Sequence, residues 1–179
     1  DENIALMLKQ SIESAKQQMD KSYTIHIVTS LKNKDLNEFG VNIIEAKEIN
    51  DIARLINFAV NKIKGDFFSV LECKDLYAPN WFLNFDKYLN YSEKYDAYFP
   101  IGKIYDKDKK LIMYANDACF SESFATENGI LDNDMLHDKV FYSFGGFIDR
   151  KKFIESGGLK PSIKYGYWYE FLLRYTHLG

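Results

Sequence analysis

Apolar positions recur at helical spacing where the chain opens. In "ENIALMLKQSIESAKQQ", Ile4, Leu8, Ile12, Ala15 and Met19 share one face with Lys and Gln opposite, which predicts an amphipathic helix. The period then changes: Tyr23 to Thr29, "YTIHIVT", is a dense β-branched run that reads as a strand, and "VNII" is a second short one. Helical spacing returns in "INDIARLINFAVNKIKG". Asn50 or Asp51 serves as N-cap, Ile52, Leu55, Ile56, Ala59, Val60 and Ile63 form the buried face, and Gly65 stops the helix. Phe67 to Leu71 follow as a third strand. Helix, strand, strand, helix, strand with short connections predicts a layered α/β domain.

The middle of the chain is less regular. Pro79 is placed to start a helix through "NWFLNFDKYLNYSEKY", and "DAYFPIGKIYDKDKKLIMYA" reads as two strands joined by a turn at Asp106 to Lys110. In the last third a strand through Phe144 meets Gly145 and Gly146, a short helix carries Phe153 and Ile154, and Gly157-Gly158 ends it. Tyr169, Leu172, Leu173 and Tyr175 predict a final helix. No internal repeat and no low-complexity segment interrupts this, and 179 residues is the size of one domain, 1–179, able to bury about 70% of its unfolded surface.

Net charge -3 gives no electrostatic reason to expect nucleic acid or an anionic membrane as partner. No apolar run approaches the roughly 18 residues of a membrane span, and the N-terminus lacks the basic and apolar regions of a signal peptide. Cys73 and Cys119 are too few for a disulfide framework or zinc site, so reduced thiols and a cytoplasmic location are expected. The chain begins at Asp1 and its last helical pattern runs to Gly179 without a clear cap, consistent with a piece of a longer protein.

Candidate chemistry concentrates in charged residues at strand ends. Glu72, Lys74 and Asp75 follow the third strand directly, where ligands of open α/β sheets usually bind. Asp106 and Asp108 form a D-x-D triplet, but Lys107, Lys109 and Lys110 surround it, as at a solvated hairpin tip. "ILDNDMLHD" holds Asp132, Asp134, His137 and Asp138 without the central Gly and terminal Glu of a calcium loop. Trp81, Trp168, Tyr167 and Tyr169 are candidates for stacking on a sugar, with core packing the alternative.

Taken in order, "SIESAKQQ", "YTIHIVTS", "NFAVNKIKGDFFSVLECKD", "GGFIDRKKFIESGGLKP" and "YEFLLR" resemble the signatures of family 2 glycosyltransferases of the GT-A fold, over Ser11 to Arg174. The resemblance implies a Rossmann-like layered sheet flanked by helices, a nucleotide-sugar donor, a glycan or protein acceptor, and Mg²⁺ or Mn²⁺ clamping the diphosphate. It places Glu72 and Asp75 at the metal, Lys74, Trp81, Trp168 and Arg174 at the substrate or diphosphate, and Glu170 or Asp134 at the base that deprotonates the acceptor.

Three departures from the family pattern stand out. The acidic motif reads Glu72, Cys73, Lys74, Asp75, with a lysine where an acid belongs. An ammonium about 4 Å from a divalent cation is repelled by roughly 8 kcal/mol at an effective dielectric of 20, so Lys74 and a metal would not share one small site. Aligning "YEFLLR" by Glu170 and Arg174 puts Tyr167 and Trp168 where the family's acidic pair supplies the base. The family's first strand, which precedes the opening helix, has no counterpart in this sequence. Two functions are therefore carried forward: sugar transfer from a nucleotide-sugar donor, and a catalytically silent GT-A-like module, without cofactor, for assembly or for binding glycans, proteins or other segments of a larger protein.

Overall fold

The computed structural model describes residues 2–19, 22–30, 34–90, 94–117, 119, 133–138 and 141–178. It is a mixed α/β structure. In chain order the elements are α1 (Glu2–Lys16), β1 (His26–Thr29), a 3-10 turn (Lys34–Phe39), β2 (Asn42–Glu45), α2 (Ile52–Lys62), β3 (Phe67–Ser69) and α3 (Trp81–Leu89). Then come β4 (Ala97–Tyr98), β5 (Gly102–Tyr105), β6 (Leu111–Ala115), α4 (Asn133–Asp138), β7 (Phe147–Asp149), α5 (Arg150–Glu155) and α6 (Tyr167–Leu178).

Instead of one continuous sheet, the described strands form three small ones. β1 and β2 run parallel, β7 lies antiparallel between β3 and β4, and β5 pairs with β6 as a hairpin. The strand expected through Phe144 begins after the glycines, at Phe147. Gly145 takes φ +67, and a Cβ on Gly146 would lie 2.3 Å from the Phe99 ring, so the chain turns there before it can extend.

The main core is built where α2, β3, β7, α5 and α6 converge. Ala53, Ile56 and Val60 of α2 meet Phe68, Ile148, Phe153, Leu159, Phe171 and Leu172, with Phe153 and Phe171 almost fully enclosed. The predicted N-cap holds: the Asp51 carboxylate accepts from Arg54 N at 2.8 Å. The helix face is turned slightly from the expected one, for Ile52 is exposed while Ala53 is buried. A second, aromatic cluster joins Phe82, Tyr98 and Phe147, with Phe85 stacked on Phe147 at 3.9 Å and 9°.

The core of α1 is smaller. Ile12 packs with Ile27 and Leu36, whereas Ile4 stays exposed and Met19, predicted on the same face, lies beyond the end of the helix at Lys16 and is exposed too. Polar side chains complete the attachment of α1 to the stretch after β3. Ser11 Oγ accepts from Lys74 N at 3.3 Å and Ser14 Oγ from Tyr77 N at 3.1 Å. Gln18, fully buried, donates to Ala78 O and Ser14 O and accepts from Phe82 N.

Candidate functional site

A cleft of ≈ 540 Å³ opens beyond the C-terminal end of β2, lined by Glu48, Asn50, Asp51, Arg54, Lys164 and Tyr167 among others. The chain reaches it through a turn in which Glu48 takes φ +66 and Ile49 N donates to Ala46 O, after which Asp51 caps α2. Across from the cap stands Tyr167, the first residue of α6, and Lys164 comes from the connection before it. The Tyr167 hydroxyl is pushed above its ordinary pKa by burial first, then by the nearby negative charges of Glu72 and Asp51. The cleft thus has two cations, Arg54 and Lys164, on its lining, and the field of Glu72 reaches its tyrosine.

The stretch carrying Glu72 is a tight turn held against α1. Asp75 N donates to Glu72 O at 3.0 Å, and Lys74 sits at φ +115, a conformation few non-glycine residues adopt. Glu72 and Lys74 are exposed, while Asp75 is partly covered. Burial raises the Asp75 pKa, and among the described residues its carboxylate forms no ion pair. Tyr77, just beyond, is partly buried; its hydroxyl lies 2.7 Å from Ser69 Oγ and its pKa is pushed up to about 12, mainly by burial.

Glu72 and Asp75 are a pair of acids and not a preformed cage: among the described residues no group of three His, Cys, Asp or Glu is arranged to hold a metal ion. The two acids act on different neighbours, Glu72 on the Tyr167 hydroxyl and Asp75 on that of Tyr77.

The other sequence-selected residues lie elsewhere. Arg174 donates through Nε and Nη2 to Glu170, through Nη2 to Gly158 O at 2.7 Å and through Nη1 to Ser156 O. Lys160 meets the same Glu170 carboxylate at 2.7 Å. The Arg174 hydrogen bond, against a smaller burial effect, holds Glu170 below the usual carboxylate range. Trp81 belongs to the aromatic cluster, its indole N–H donating to Gly145 O at 2.7 Å, and Trp168 packs against the main core 5.9 Å from Phe171. Asp134 is exposed on α4, a short helix docked on α6 through Tyr169 Oη to Leu136 O. Asp132 lies outside the described residues. The D-x-D triplet is a hairpin tip, where Asp106 Oδ1 accepts from Asp108 N and Lys110 N.

Arg54 and Lys164 are the cleft residues that sequence reasoning missed. Arg54 is hidden in sequence by its place one turn into an ordinary amphipathic helix. Its signal was the cap, since a side chain at that position stands at the positive end of the helix beside the crevice. No family model and no curated protein matches the chain. Among the described residues no helix is long and apolar enough to cross a membrane.

Proposed function

We propose that the chain is a GT-A-like glycosyltransferase domain that binds a nucleotide sugar in the cleft between the start of α2 and the start of α6. The observation that carries this is the placement of Arg54 and Lys164 at one opening beyond a parallel β-pair, with Glu72 and Asp51 acting on its tyrosine. Two cations at a helix start suit a diphosphate, and flanking acids suit sugar hydroxyls. Glu72 and Asp75 would hold Mg²⁺ or Mn²⁺, which supplies charge neutralisation on the diphosphate leaving group. Glu170 is a poor base because Arg174 and Lys160 stabilise its charged form.

The engagement of Glu170 by Arg174 and Lys160 favours the second reading, a catalytically silent binding module that keeps the cleft but not the chemistry. Thermal unfolding with UDP, GDP and their sugar conjugates, in Mn²⁺ and in chelator, separates the two. A ligand at a hundred times its dissociation constant adds about 2.7 kcal/mol, a rise of roughly 5 to 10 °C for a chain this size. A shift that disappears in Arg54→Ala and Lys164→Ala supports donor binding, and sugar release from the conjugate then distinguishes transferase from silent module. No shift with any nucleotide refutes both as donor sites.

A further inference from the structure

The charges lining the cleft at the start of α2 do not neutralise one another. Glu48 and Asp51 are negative and Arg54 and Lys164 positive, so the lining carries both signs in equal number. Elsewhere cations that share a site with a carboxylate pair with it, as Lys160 and Arg174 do with Glu170 and Lys152 with Asp96. Among the described residues no ion pair joins any two of the four cleft side chains. The Asp51 carboxylate is held by the backbone instead, accepting from Arg54 N at 2.8 Å. Opposite signs kept apart in one opening of ≈ 540 Å³ are complementary to a ligand that carries both.

The acidic part of the cleft is built from three separate elements. Asp51 comes from the cap of α2, Tyr167 from the start of α6, and Glu72, outside the lining, from the turn after β3. Burial apart, the influences on the Tyr167 hydroxyl are the negative charges of Glu72 and Asp51. A diphosphate seated on Arg54 and Lys164 uses both cations of the lining and leaves Glu48, Asp51 and Glu72 facing an anionic ligand. A neutral sugar keeps that repulsion in place. An ammonium on the sugar offsets it, and its three donors suit two carboxylates and a phenol oxygen.

Resting on the nucleotide-sugar reading above, we propose that the sugar carries a free amine: the substrate class is an unacetylated amino sugar whose ammonium lies among Asp51, Glu72 and Tyr167.

Isothermal titration calorimetry of the full 179-residue chain tests this with glucosamine 1-phosphate against glucose 1-phosphate, which differ by an ammonium in place of a hydroxyl. These two are titrated in chelator, so that no divalent cation stands in for the amine; UDP and GDP are titrated in Mn²⁺ and in chelator. The expected result is that glucosamine 1-phosphate binds about tenfold more tightly than glucose 1-phosphate, as a hydrogen bond to a charged group would give. Asp51→Asn keeps the helix cap, because asparagine caps as well as aspartate, and both it and Glu72→Gln reduce that ratio without weakening glucose 1-phosphate. Equal affinity for the two sugar phosphates overturns the proposal, and binding of UDP or GDP in the same series shows that the nucleotide-sugar reading survives it. A preference that neither variant reduces also overturns it, because the amine then binds elsewhere. A preference that both variants reduce, with neither nucleotide bound, supports the amine site and refutes the donor reading. Binding of no sugar phosphate and no nucleotide overturns both.

Discussion

Two charged loops of this protein, both prominent in its sequence, handle their carboxylates in opposite ways. At 156–174 the charge is absorbed into the fold: Arg174 and Lys160 meet Glu170, two backbone carbonyls take the remaining donors, and the Glu170 pKa falls. At 72–78 the backbone is anchored by Ser11, Ser14 and Gln18, but among the described residues Asp75 pairs with no cation and its pKa rises. One loop is a closed hydrogen-bonded node that ties Ser156 and Gly158 to a helix. The other is a strained turn whose side chains are left open, which is the condition a binding site needs.

The largest expected effect comes from breaking the closed node. Arg174→Ala removes the partner of Glu170 and leaves the Ser156 and Gly158 carbonyls without their donors, which costs about 3 kcal/mol in denaturant unfolding. Arg174→Lys does not restore it, because a single ammonium cannot reach a carboxylate and two carbonyls together. A loss under about 1 kcal/mol would mean that the node is a surface ion pair and that Arg174 is available to ligands.

Next comes the anchor of the open loop. Gln18→Ala leaves the Phe82 amide without its acceptor and removes the link to Ala78, a loss of about 2 kcal/mol. Hydrogen exchange in this variant is expected to quicken at residues 74–82 and stay unchanged around Phe153. Lys74→Gly should act in the reverse direction. Glycine accepts φ +115 without the strain a side chain meets, so stability rises by about 1 kcal/mol while any nucleotide-induced shift that depends on the ammonium is lost.

The smallest effect, and the sharpest test of the contrast, is its pH dependence. Because Arg174 depresses the Glu170 pKa in the folded state, its contribution is present above the unfolded carboxylate pKa and is lost as pH falls through the folded value. Asp75 is raised by burial, so its contribution is complete below its unfolded pKa and is lost as pH rises through the folded value. At neutral pH, Glu170→Gln therefore destabilises and Asp75→Asn stabilises, and both differences shrink toward about pH 3 to 4. Unfolding midpoints with the same sign for the two variants would remove the distinction between the loops.

Much of the architecture was legible in local pattern. The α2 cap at Asp51, the buried stripe through Ile56, Ala59 and Val60, the turn at Asp106 to Lys110 and the final helix follow from period, capping and turn chemistry acting over a few residues. The candidate acids at Glu72 and Asp75 were legible for the same reason, as charge directly after an apolar strand. Less was visible where partners are distant in sequence. Asn57 illustrates this: it reads as an unremarkable polar residue of a helix, yet it accepts from Leu159 N and donates to Leu159 O, and its Oδ1 would lie 2.6 Å from a Cβ on Gly158.

The sequence by itself determined most helices, though not α4, most strands and the order of charged turns, because backbone geometry and amphipathic period are decided within a window of a dozen residues. Only the tertiary structure decided that the described strands divide into three sheets, that Arg174 is tied into a structural node, and that Arg54, Lys164, Asp51 and Tyr167 surround one cleft. Those outcomes depend on which side chains meet after roughly a hundred residues of intervening chain have folded back, and on how much water each charge keeps when they do.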